Sequence, residues 1–167
     1  MPITVSDSST LIHLAGIGRL DLLRQFYDTL LIPPAVHREV ITEGGIRPPA
    51  LLVAQAVSDG WIQVATEPLP EAVALQKDGK LDPGESEAIA LLLARGSDGI
   101  LLMDEAHGRS VAKQRGLKIT GLVGVLLRAK QDGLILSLKE ELDKLRHGTG
   151  FYLHPQLVQQ VLTLAGE

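Results

Sequence analysis

The sequence contains no cysteine. That excludes disulfides, thiolate catalysis and any zinc or iron–sulfur centre ligated by cysteine. Aromatic residues are scarce: one Trp, two Tyr and two Phe, or 3% of the chain, so the 45% of hydrophobic residues must build a core from Leu, Val, Ile and Ala. No apolar run approaches the roughly 20 residues of a membrane-spanning helix. Met1-Pro2-Ile3-Thr4 lacks the basic region and apolar centre of a secretion signal, so a cytoplasmic protein with no membrane partner is the expectation. Nor is there an excess of positive charge. Sixteen Lys and Arg face 20 Asp and Glu, a formal net charge of −4, which disfavours a protein that coats nucleic acid by charge alone. An acidic pocket neutralised by a metal ion remains open. Repeats, linkers and low-complexity tracts are also missing, and 167 residues suffice for one domain with a substantial core.

What is present is a regular alternation of strand and helix. The organising stretch runs from Leu81 to Ala112, LDPGESEAIALLLARGSDGILLMDEAHGRSVA. It reads as helix, turn, strand and helix, and its continuous apolar run, residues 99–103, has the composition of a parallel strand covered on both faces. Residues 3–6, 29–32, 61–66 and 117–120 supply four more short strands, the third alternating enough to suggest a sheet edge. Between them lie helical segments over 11–14, 19–27, 34–44, 48–58, 70–76 and 121–131, with C-terminal helices from about 137, over 138–147 and 154–164. Prolines at 34, 48, 70 and 83 stand where a helix loses nothing by starting on one. This order predicts an α/β fold with a parallel, doubly wound sheet.

Two of the strands end directly in an acid, Asp7 and Asp104. Each acid in the chain has a structural explanation by itself. Asp7, Asp82 and Asp104 suit helix N-caps, Asp82-Pro83-Gly84-Glu85 has the form of a capping box, Glu39 and Glu43 suit a solvated helix face, and Glu87 suits a first helical turn. Together they suggest more, because ligands of open parallel sheets bind beyond the carboxyl ends of the strands, where the strand order reverses. If the first and fourth strands are neighbours, Asp7, Asp104 and an acid at the start of the helix before the fourth strand, Glu85 or Glu87, converge. Carboxylates about 4 Å apart repel by roughly 4 kcal/mol per pair at an effective dielectric of 20, so the cluster needs raised pKa values or a cation. Oxygen ligands without His or Cys suit Mg²⁺ or Mn²⁺, and carboxylate-held metal open to water suits phosphodiester hydrolysis.

The segments VSDSSTLIHLAGIGRLDLL, IPPAVHREV, LDPGESEAIALLLA, LLMDEAHGRSVA, ITGLVGVLLRAK and VLTLAGE resemble, in order and over nearly the whole chain, the PIN-domain ribonucleases. Within them the chain is similar to a prokaryotic PIN-like branch; relatives elsewhere in the superfamily are toxins of toxin–antitoxin pairs. The resemblance implies one PIN-like domain over 1–167, a three-layer α/β/α sandwich around a central parallel sheet. It also implies a metal-dependent endoribonuclease that hydrolyses single-stranded RNA with Mg²⁺ or Mn²⁺, and, as partners, a small antitoxin protein and a second copy in a homodimer. Carried over by position, the catalytic acids are Asp7, Glu39, Glu85 and Asp104, with Glu87 the competitor for the third place. The metal falls to Asp7, Glu85, Asp104 and Glu105. Ser9 stands where the family often has a small polar residue orienting the first acid. Arg109 and Lys113, four apart on one helix face, are candidates with Arg115 and Lys118 to hold RNA phosphates; Arg109 is nearest the site, whereas Lys113 and Arg115 also suit an ordinary solvated face. The third acid departs from the commonest pattern, Glu85 standing where Asp is frequent. The five histidines have no ligand spacing and read as structural or surface residues, His107 alone lying close to the site. A non-catalytic PIN-like module that binds RNA or protein is the alternative. Aspartyl phosphatases and receiver domains fit poorly, since Ser8-Ser9 follows Asp7 and strand three ends in Ala65-Thr66-Glu67.

Overall fold

A computed structural model describes residues 2–96 and 98–167. Five short strands, β1 (Thr4–Ser6), β2 (Leu30–Ile32), β3 (Ile62–Val64), β4 (Ile100–Leu102) and β5 (Lys118–Thr120), pair in the order β3-β2-β1-β4-β5. Every pairing is parallel. The order reverses between β1 and β4, which places the switch point beside Asp7 and Asp104. β3 lies at an edge, and its alternation of buried Ile62, exposed Gln63 and half-buried Val64 fits that place.

The helices are α1 (Ser8–Gly16), α2 (Asp21–Tyr27), α3 (Pro34–His37), α4 (Pro48–Ser58), α5 (Pro70–Lys77), α6 (Pro83–Arg95), α7 (Ala106–Gln114), α8 (Leu122–Gln131), α9 (Leu138–Gly148) and α10 (Pro155–Leu164). They cover both faces of the sheet, giving three layers, and strand parity sorts the side chains between two cores. Leu30, Ile32 and Leu102 point to one face, where Leu11, Leu14, Leu23, Leu122, Leu126 and Leu142 pack. Val5, Leu31, Leu101 and Met103 point to the other, against Leu75, Ile89, Leu92 and Ala112.

The helix expected over 34–44 forms only in part. After α3 the backbone widens into a π-helical segment, Arg38–Thr42, in which the Glu43 N–H donates to the Arg38 carbonyl, five residues back, at 2.8 Å. Such widenings occur often at functional sites. This one carries Glu39, which is half-buried and turned toward α6, whereas Glu43 is exposed.

A polar tie fastens the C-terminal helices to the N-terminal half. Glu141 of α9 is only 3% exposed. It receives two hydrogen bonds from Arg19, from Nε at 3.1 Å and Nη2 at 2.7 Å, and one from Lys144 at 3.1 Å. Burial raises the Glu141 pKa, but these cations outweigh it and hold the carboxyl below its ordinary value. Arg19→Ala leaves a buried carboxylate with a single cation at the solvent edge, and is expected to cost about 2 kcal/mol, below the usual range for a fully buried pair. Urea denaturation checks it; an unchanged midpoint would mean that Lys144 alone neutralises Glu141.

Candidate active site

In the β1–β4 register Ser6 is level with Leu102, so Asp7 and Met103 leave the sheet side by side. The Asp7 N–H extends the ladder to the Leu102 carbonyl at 2.9 Å. Its carboxylate, 3% exposed, caps α1 by accepting from the Thr10 N–H at 2.9 Å, and its other oxygen accepts from the Asp104 N–H at 3.3 Å. Asp104 accepts from the Thr10 hydroxyl and from the Leu122 N–H, both at 2.8 Å, which ties it to the starts of α1 and α8. Beside it, Arg109 Nη1 donates to the Met103 carbonyl at 2.9 Å.

Over Asp7 opens a crevice of about 330 Å³, lined by Glu39, Asp82, Glu85 and Glu105 and, between them, Ser8, Ser9 and His13. Each acid is placed by a helix start. Glu39 accepts from the Ser8 hydroxyl and from the Gly84 N–H at 3.2 Å. Position 84 must be glycine for this, since a Cβ there would lie 2.5 Å from Glu39 Oε2. Asp82 caps α6 through the Glu85 N–H at 2.8 Å, and Glu105 caps α7 through the Gly108 N–H at 2.7 Å. Glu85 leans across from α6 to Gly108, where an added Cβ would meet Glu85 Oε2 at 3.4 Å. The starts of α1, α6 and α7 thus converge, and their partial positive charge favours anions there.

Among the described residues no Lys or Arg lines the crevice, and two of its acids, Asp7 and Glu85, hold protons unusually well. Asp7 is pushed up to about 7, by burial and then by the Asp104 carboxylate, against the pull of its hydrogen bonds from Thr10 and Asp104. Glu85 rises to about 8 through burial, a hydrogen bond shared with Asp82, and the charges of Asp82, Glu105 and Asp7. Asp104 is raised by burial, which outweighs Leu122, Thr10, Arg109 and His13. A crowd of hard oxygen donors without a counter-charge fits a divalent cation of the Mg²⁺ or Mn²⁺ kind. Among the described residues, however, no three such side chains already stand close enough to hold an ion.

The sequence-predicted residues divide accordingly. Asp7, Glu39, Glu85, Glu105 and Ser9 line the crevice, whereas Asp104, Arg109 and Lys113 line an adjoining groove. The N-cap of α7 is Glu105 and not Asp104, because Asp104 is taken up by Leu122 and Thr10. Glu87 turns away and accepts from the Ala35 N–H at 3.0 Å, whereas Glu85 lines the crevice. Glu85 does not reach back to the Asp82 backbone as a capping box requires; its carboxyl meets the Asp82 carboxyl. The Ser9 hydroxyl lies 3.2 Å from His13 Nδ1, and Thr10 and Asp104 orient Asp7 in its stead. Arg115 pairs with Glu71 at 2.9 Å, and His107 Nε2 sits 2.5 Å from the Gly79 carbonyl. Asp82 and His13 are crevice residues that sequence reasoning missed. For Asp82 the signal was there, because a residue three before Glu85 shares its helical turn.

No curated protein matches the chain. A family model described as PIN domain matches residues 3–167. With five parallel strands in three layers and acids gathered at the switch point, this chain belongs to the PIN-domain family.

Proposed function

We propose that the protein is a metal-dependent endoribonuclease that hydrolyses phosphodiester bonds of single-stranded RNA. The observation that carries this reading is the crevice itself: five carboxylates at the mouth of the sheet with no Lys or Arg lining it among the described residues. PIN domains are generally nucleases and generally use divalent ions. Asp7, Glu85 and Glu105 would hold the ion, and Asp104 can join only through lone pairs that Leu122 and Thr10 leave free. When bound, Mg²⁺ or Mn²⁺ supplies activation of water and stabilisation of the leaving oxygen. Glu39, immobilised between Ser8 and Gly84, is placed to accept a hydrogen bond from water entering the crevice. Ser9 faces the substrate within the crevice, while Arg109 and Lys113 meet its phosphates alongside. The family alone supports the further expectations of a homodimer and of a toxin silenced by a small antitoxin, which light scattering and growth on induction test; the cytoplasmic expectation rests on the sequence, and cell fractionation tests it.

That the donors do not already enclose an ion favours a second reading, a non-catalytic module that binds RNA or protein. Calorimetric titration with Mn²⁺ separates the two. Binding that disappears in Asp7→Asn/Asp104→Asn supports the nuclease; no binding by the wild type supports the module. A finer probe is Gly84→Ala, whose new methyl group displaces the Glu39 carboxylate. Cleavage is expected to fall by up to ~100-fold, as for an ångström-scale misplacement, with little change in thermal midpoint. Wild-type rates in this variant would remove Glu39 from the chemistry.

A further inference from the structure

We propose that the groove beside the carboxylate crevice is a base-stacking subsite for single-stranded RNA, with Tyr152 as its platform and Lys113 and Arg146 on the flanking phosphates. The proposal takes its ligand from the nuclease reading above.

The groove, about 780 Å³, lies between α7, the start of α8 and the loop that joins α9 to α10. A second hollow of about 540 Å³ follows, with Arg146 in its wall. Phe151, Tyr152 and Leu153 line both, so this loop forms the ridge between them. The groove also adjoins the crevice. Asp104 lines the groove while its backbone N–H holds Asp7, and His13 of the crevice meets Phe151 of the groove edge-on, with ring centroids 5.0 Å apart. One surface therefore leads from the carboxylates past Arg109 and Lys113 over Tyr152 to Arg146.

The charge along this path has the sign a polyanion needs once it leaves the acidic crevice. Neither Lys113 nor Arg146 has a carboxylate within ion-pair distance among the described residues. The acid in the groove wall, Asp104, already accepts two hydrogen bonds.

Tyr152 is 77% exposed in a chain with five aromatic residues. The backbone on either side of it is nonetheless held. The Thr149 and Phe151 N–H groups both donate to the Leu145 carbonyl at 3.2 Å, the Thr149 hydroxyl joins them at 2.7 Å, and Leu153 is buried. An exposed ring on a backbone held on either side, flanked by unpaired cations, suits a partner with a flat π-face and a charged backbone, and little order is lost on binding. Paired bases are stacked on each other and cannot cover such a ring, which selects single strands.

The test is fluorescence anisotropy in EDTA, where no metal-dependent turnover occurs, with a labelled single-stranded RNA of about ten nucleotides and an otherwise identical abasic strand. Tyr152→Ala is expected to weaken RNA binding ~10-fold, and Tyr152→Phe by less than about twofold, because stacking needs the ring and not the hydroxyl. On the abasic strand the Tyr152→Ala loss should vanish. Lys113→Ala and Arg146→Ala should weaken both strands alike and flatten the salt dependence. Three results would overturn the proposal: no binding by the wild type, wild-type affinity in Tyr152→Ala, or equal losses on both strands. Failure here is separable from failure of the nuclease reading. Asp7-dependent cleavage with Tyr152-independent binding rejects the subsite alone. Tyr152-dependent binding without Mn²⁺-dependent cleavage rejects the nuclease and leaves the subsite standing.

Discussion

Asp7→Asn is expected to lower Mn²⁺-dependent RNA cleavage by roughly a thousandfold, the upper part of the range for removing one preorganised electrostatic group, without unfolding the protein. The carboxylate has two duties that this substitution separates. As the cap of α1 it accepts from Thr10, and Asn caps a helix about as well as Asp. As a charge it stands buried beside Asp104, and Asn abolishes that. The substitution forfeits the acceptor facing the Asp104 N–H, at a cost of about 1 kcal/mol. It also relieves the ionisation of a buried acid, so above pH 7 the metal-free variant should be at least as stable as the wild type. Initial rates on a fluorogenic RNA, with wild type and variant purified in parallel, measure the first effect; denaturation midpoints at pH 8 measure the second. A variant that cleaves at the wild-type rate would reduce Asp7 to a helix cap and assign any activity to a contaminant. A conflict between activity and apo-stability at one side chain is what a functional acid, and not a structural one, produces.

Much of this was legible in the residues. The apolar runs within 29–32 and 99–103 suit strands because a parallel strand buried on both faces is apolar throughout, and in the fold strand parity divides their neighbours between two cores. Asp7 follows β1 directly and Asp104 comes one residue after the end of β4, so neighbouring strands had to bring them together. What remained hidden depends on contacts between segments distant in sequence. Glu85 and Glu87 are equivalent on paper; what separates them is where α6 lies against α3, since Ala35 takes Glu87 and Gly108 receives Glu85. Asp104 looked like the cap of the next helix because its other partners, Thr10 and Leu122, are 94 and 18 residues away. The π-helical turn that presents Glu39 has no signature in REVIT. His13 gains its place from Phe151, at the far end of the chain.

Stability of the metal-free protein is expected to fall by about 3 kcal/mol between pH 5 and pH 8. The folded chain keeps a proton on Asp7 up to about pH 7 and on Glu85 up to about pH 8, whereas the unfolded chain releases both near their ordinary values of 3.8 and 4.5. The folded state therefore binds more protons throughout this window, and stability falls as pH rises. The contribution is complete below the unfolded values and is lost as pH passes the folded ones. Most of it belongs to buried Asp7; Glu85 is half-exposed, and water screens its share. The depressed carboxyls, Glu67, Glu141 and Glu167, act with the opposite sign and chiefly below pH 5, outside the window. On the nuclease reading a divalent ion would compete with those protons. At a concentration about 100 times its dissociation constant Mn²⁺ should restore ~2.7 kcal/mol at pH 8, a rise in melting temperature of roughly 5–10 °C for a chain of this size, and almost nothing at pH 5. Glu85→Gln should flatten the metal-free profile and shrink the Mn²⁺ gain together, since one carboxylate underlies both. Thermal melts at the two pH values, with and without Mn²⁺, read all four quantities. A flat metal-free profile with an equal Mn²⁺ effect at both pH values would mean that the crevice acids neither hold these protons nor exchange them for metal.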